Sequence, residues 1–254
     1  SGSVLTAAGS ATSSTDYFRS RISGNWNNSL TWESSPDNIT WNTATAKPTQ
    51  LSSGITVRSS HTVTITAGET ARLFTVQSGG ILTYANQAAG GYDFDIASDG
   101  TATDDFIIFG TYEIYGIAPG LALGATCRVK TNGIVKANAN AGTNTSDDFA
   151  RSLQIYLETN AIYEWNTTST FSSTGLTYFP NALANEYAIF RVSQTTGFPI
   201  GGGSPTTFNG KFEANAALTF QNAGVKIFRN GILGTGNINQ LAGSAQFQIT
   251  GIAE

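Results

Sequence analysis

Two groups of carboxylates have the type and spacing to do chemistry. Asp104-Asp105 in GTATDDF and Asp147-Asp148 in GTNTSDDF repeat one motif, and two carboxylates at a suitable separation can hydrolyse a glycosidic bond. Asp93, Asp95, Asp99, Asp104 and Asp105 crowd a single short stretch. Such an oxygen-rich set suits calcium, which takes carboxylates and carbonyls from irregular loops. EF-hand spacing is not met, because no Glu closes the loop. Asp residues next to strands also serve as turn formers and surface charge. The chain holds no Gly-His-Gly and no Asn-x-Asp, which polysaccharide-cleaving β-helices of the polygalacturonase type use. No catalytic residue is assigned on this reading, and calcium is the one cofactor the acidic loop would take.

Aromatic side chains supply the second chemistry. Trp165, Tyr163, Tyr178 and Phe179 stand near loops, and aromatic faces stack on sugar rings. Trp26, Trp32 and Trp41, with Tyr17 and Phe18, form a denser cluster. That cluster has two readings: a sugar-stacking platform, or a cap over the open end of a β array. The single histidine, His61, is polar-out on a strand by alternation and reads as solvated. Cys127 is alone, so it forms neither an internal disulfide nor a thiolate metal site, and in ATCRV it reads as a small buried residue.

The elements that must position these groups are short strands. LSSGITVRSSHTVTITAGETARLFTVQSGGILTY, residues 51–84, alternates apolar and polar between Gly and Ser punctuation, the pattern of half-buried strands. A small residue before an alternating strand recurs at Gly80, Gly110, Gly133, Ala161, Gly210 and Gly231. The intervals are about 20–30 residues, with one near twice that, as in stacked coils. The expected fold is all-β, a right-handed parallel β-helix with an aromatic N-terminal cap. A β-sandwich of antiparallel hairpins is the runner-up. The divisions expected are a flexible leader over 1–16, a Trp-rich cap over 17–50 and the helix over 51–254. Ile81, Ile134 and Ile232 are expected to point inward, and Thr62, Thr64 and Thr66 outward. Loops are expected over 85–105, 137–148 and 166–185.

Composition narrows the function. Charged residues are 12 % of the 254 and the net charge is −4, which disfavours a nucleic-acid surface. No stretch approaches the length of apolar sequence that spans a membrane. Ser, Thr, Asn and Gly take the place of surface Lys and Glu, which suits an extracellular protein. Met is absent, which leads to the expectation of a processed or excised product.

The run FRSRISGNWNNSLTWESSPDNITW, followed by ITVRSSHTVTI and FTVQSGGILTY, resembles the opening of large secreted β-solenoid surface proteins of Bacteroidetes. The resemblance implies an adhesin-like cargo of the type IX secretion system, displayed on the cell surface. It extends more loosely through GTNTSDDFARSLQIYLETNAIYEWN and implies fold and location rather than an activity. The sorting domain usual at the end of such proteins is not visible, and the chain stops in QFQITGIAE, still in strand pattern. The function expected is a non-catalytic structural or adhesive module. The alternatives are a subunit of a self-assembling extracellular filament and a carbohydrate-binding or carbohydrate-cleaving β-helix. The partners expected are surface glycans or neighbouring copies of the same chain.

Overall fold

In the computed structural model the described residues are 11–85, 94–101, 104–115, 120–121, 125–138, 155–167, 188–194, 196–198, 206–220, 224–240 and 247–249. They form a parallel β-helix. In the first coils the strands visit three sheets in a fixed cyclic order: Gly54–Val57, then Thr62–Ile65, then Glu69–Ala71 make one coil. Phe74–Val76, Ile81–Tyr84 and Phe94–Ile96 make the next, each strand lying parallel beside its predecessor. One sheet runs through nine strands, from Gly24–Asn25 to Ile232–Leu233. Among described residues the antiparallel pairs are confined to the start, where Trp32–Ser35 lies between Tyr17–Ser20 and Asn42–Thr43. The hairpins that a β-sandwich would need are otherwise replaced by parallel pairing.

The long interval between Ala161 and Gly210 holds one extra coil, since Ile189–Val192 pairs with Ile162–Trp165 on one side and Lys211–Ala214 on the other. Turns precede these strands with Ser60, Gly79, Asn132 and Asn160 at positive φ, the conformation that Gly and Asn adopt at least cost. Phe94–Ile96 makes a strand of the third sheet inside a stretch expected to be loop. The other two expected loops fall mostly outside the described residues.

The inward register is shifted by one from the expectation. Gly80, Gly110, Gly133, Ala161, Ala188, Gly210 and Gly231 are themselves buried and occupy the first inward position of the coil. The next residue therefore points out, so Ile81, Ile134 and Ile232 lie half-exposed, and Leu82, Val135 and Phe212 point in. The corner position is small because the coils meet there. A Cβ on Gly110 would run into the carbonyl oxygens of Gln77 and Gly80, and one on Gly133 into that of Ile108. Thr62 and Thr64 face outward as expected, while the Thr66 hydroxyl is enclosed.

Inside, like stacks on like. Phe74 lies on Phe106 with centroids 5.0 Å apart, Phe190 on Phe212 at 5.5 Å, and Phe208 on Phe228 at 5.0 Å. Cys127 is buried in the same ladder between Phe106 and Ile155, and burial pushes its thiol far above the usual range. The Tyr84 and Tyr112 hydroxyls bond to each other at 2.6 Å in the core.

At the start of the stack, Tyr17–Ser20 and Gly24–Asn25 extend two of the sheets by one partial coil. Trp26 and Trp32 are both 0 % exposed and meet edge to face at 5.1 Å. Trp26 reaches Phe74 and Phe94, each at 5.4 Å, so the pair closes the interior of the first coils. Residues 1–10 of the expected leader are outside the described residues. Residues 11–16 are tied to the next coil, with Ser53 Oγ donating to the Thr15 carbonyl at 2.6 Å and Ser53 N to that of Asp16.

Two outcomes check this arrangement. Gly110→Ala should destabilise by about 1–3 kcal/mol through overpacking, whereas Ile81→Thr should be nearly neutral in denaturant unfolding. Equal effects would mean that the register is wrong. Trp26→Ala and Trp32→Ala should each cost about 3–5 kcal/mol. Trp26→Phe should cost less than Trp32→Phe, because the Trp26 indole N–H has no acceptor among the described residues while that of Trp32 donates to the Trp26 carbonyl at 2.8 Å.

Candidate functional site

Among the described residues, the sequence-predicted site residues do not converge on one surface site. Tyr163 and Trp165 are fully buried in the inner ladder, Tyr163 stacked on Phe190 at 5.8 Å. Their ring faces are used within the core and present nothing to a sugar. The physical reason is again the corner: Ala161 takes the inward slot, so Tyr163 and Trp165 follow it inward at period two. Tyr178 and Phe179 lie outside the described residues.

Among the acidic residues, Asp93 is outside the described residues and Asp95 is exposed on the strand Phe94–Ile96. Asp99 accepts from Thr101 N at 2.7 Å, closing a turn. Asp104 pairs with Arg128 Nε at 2.6 Å. Asp105 is buried and accepts from the backbone N–H groups of Asp99 and Thr126, at 2.8 and 3.0 Å. Its carboxylate thus joins one coil to the next. No group of three potential metal ligands assembles among the described residues. Asp147 and Asp148 are outside them. His61 is half-buried rather than solvated: its Nδ1 lies 2.9 Å from Ser20 Oγ and 3.1 Å from the Ser20 carbonyl. It ties the first full coil to the strand before it.

What the structure does assemble lies outside the first coils. A groove of about 480 Å³ runs over the outer faces of Tyr17–Ser20, Gly54–Val57 and Phe74–Val76. Such a volume is within the range of ligand sites. Thr56, Thr75 and Gln77 line it, with Tyr17, Trp41, Asn38, Arg19 and Arg58. Gly54 gives the Tyr17 ring room, since a Cβ there would stand 3.2 Å from its Cδ1.

The loop carrying Asn38 and Trp41 is fixed by Asp37. Its Oδ1 accepts from Thr40 N at 2.8 Å, Ile39 N at 2.9 Å and Ser35 Oγ at 2.8 Å. Those bonds, led by the Thr40 amide, hold the carboxyl at about 2, below its ordinary value. Asn38 stands at φ 59 in the turn this creates. Trp41 is then laid against Arg19, whose guanidinium carbon is 4.0 Å from the indole centroid, a cation–π arrangement. Arg19 also pairs with Glu33, and Arg58 Nη1 reaches the same Glu33 oxygen at 3.0 Å. Two guanidinium groups therefore share one carboxylate.

Sequence reasoning grouped Trp41 with Trp26 and Trp32, which the structure separates into one outer and two inner residues. It did not mark Arg19, Arg58 or Gln77, because these come from successive coils and are distant along the chain. A second outer feature was also missed. Aligning the strands on their small corner residue brings Thr83, Glu113, Lys136, Glu164, Arg191 and Glu213 into one outward column. Opposite charges alternate along it, with Lys136–Glu164 and Glu164–Arg191 each at 3.7 Å.

No helix among the described residues is long and apolar enough to cross a membrane. No protein-family model, no curated protein and no solved structure matches this chain.

The Asp37 turn has a pH signature. A carboxyl depressed in the folded state contributes stability above about pH 4 that is lost as pH falls through about 2. By NMR the Asp37 carboxyl should titrate near 2, and the Ile39 and Thr40 amides should shift with the same midpoint. Asp37→Asn should abolish that step. A midpoint at the ordinary carboxylate value would show that the turn does not hold.

Proposed function

We propose that this chain is a non-catalytic structural or adhesive module that works outside the cell. The observation that carries the reading is the continuity of the stack. Among the described residues one sheet runs unbroken from Gly24–Asn25 to Ile232–Leu233, aromatic rings stack inside it over part of its length, and charges alternate outside it from Glu113 to Glu213. Such a body is stiff along its axis and presents long, regular outer faces, which is what a stalk or a display surface requires. The small polar composition and the likeness of the Trp-rich opening to secreted β-solenoid proteins of Bacteroidetes support export, with the type IX system as the route.

A filament of stacked subunits is the weaker alternative. Head-to-tail stacking needs an open coil at each end, and the first coil is covered by the partial coil before it and by Trp26 and Trp32. Beads coated with the chain should adhere to a glycan-bearing surface, and an impermeant antibody should label intact producing cells. Beads that bind no better than uncoated ones, together with label found only after lysis, would contradict the proposal. In light scattering the chain should keep the monomer mass as concentration rises, and growth with concentration would favour the filament.

A further inference from the structure

We propose that the groove between Trp41 and the first coils binds an anionic saccharide, its sugar ring held between Tyr17 and Trp41 and its acid group on the Arg58 guanidinium. The inference rests on the adhesive reading above and names the ligand class for it. It is built from three features of one surface.

The aromatic walls come first. Tyr17 and Trp41 are half-buried, flank the groove and are held by packing: Tyr17 over Gly54, and Trp41 against Arg19. Rings fixed in this way offer apolar contact to the C–H face of a pyranose at little entropic cost.

The polar floor matches the sugar's hydroxyls. Thr56 and Thr75 are paired across neighbouring coils and face outward. Gln77 accepts from Ser59 N at 3.3 Å through its side-chain oxygen, which leaves its NH₂ as a donor. Asn38 adds a second side-chain amide from the loop. Hydroxyls and amides that both donate and accept are what a row of sugar hydroxyls requires.

Charge selects the acid. Arg19 and Arg58 meet a single carboxylate, Glu33, so that cluster of three side chains carries one positive charge in excess. The Arg58 side chain is 42 % exposed and uses Nη1 on Glu33. Its other N–H groups have no partner among the described residues, and a guanidinium fork fits a carboxylate or a sulfate by two parallel bonds. A neutral sugar would leave that charge unanswered.

The test is titration calorimetry of the full chain with three tetrasaccharides: a uronic-acid oligomer from alginate, a sulfated galactan oligomer, and maltotetraose as the neutral control. At least one acidic probe should bind at least about tenfold more tightly than maltotetraose, as a charge-assisted hydrogen bond provides. The stronger of the two acidic arms shows whether a carboxylate or a sulfate is preferred. Arg58→Gln and Trp41→Ala should each weaken that binding by about tenfold or more with unchanged thermal unfolding, and Arg58→Lys should recover part of it. Equal binding of maltotetraose, or binding of an acidic probe that both variants leave intact, would overturn the groove. In the second case the adhesive reading would stand with its site elsewhere. Absence of binding to all three probes would also overturn the groove, and the bead-adhesion result then decides the adhesive reading separately.

Discussion

A stack of parallel coils satisfies its backbone polar groups only through the coils on either side, so everything in this molecule depends on how the stack is closed. An unpaired row of N–H and C=O groups at an end is costly and invites other strands. Here Tyr17–Ser20 and Gly24–Asn25 meet the first coil in two sheets, and the chain then reverses through Trp32–Ser35, which pairs antiparallel. The reversal ends the parallel run. Trp26 and Trp32 fill the hollow that is left, against Phe74 and Phe94.

The same register governs the outside. Neighbouring coils lie about 4.8 Å apart, so side chains at equivalent positions are forced together whether or not they suit one another. Aromatic and aliphatic residues gain from this inside. Charges gain only if their signs alternate, as they do from Glu113 through Lys136, Glu164 and Arg191 to Glu213. Asn166 donates to Asn138 at 2.7 Å in a similar way two positions further on. The groove is another result of stacking, since its residues lie far apart in sequence and adjoin only because three coils are superposed.

The fold was legible because its punctuation is local: small residues at corners and alternation within strands can be read without knowing what packs on what. The side-chain register was less so. Reading Gly80 and Gly133 as outer turns places Ile81 and Ile134 inside, whereas the close approach of carbonyl oxygens at the corner makes those glycines the inward residues. That one-residue shift also decides the fate of Tyr163 and Trp165, which look like a sugar platform in sequence and are core residues in the fold. Trp41 differs from Trp26 and Trp32 only through the Asp37 turn and Arg19, contacts that no spacing rule anticipates. The charge count from Asp99 to Asp105 is visible in sequence. The use of these carboxylates as a turn, an ion pair and a backbone clasp is not.

The closure of the first coil is the claim on which the rest stands, and native-state hydrogen exchange addresses it most directly. Amides of Gly54–Val57 and Thr62–Ile65 border the covered end, and those of Thr111–Ile114 lie deep in the stack. If the strands before them and the two indoles complete the array, both sets should exchange at comparable rates, opening only with the whole body. Protection that falls steadily from Thr111–Ile114 toward Gly54–Val57 would show an end that frays, and would contradict the account.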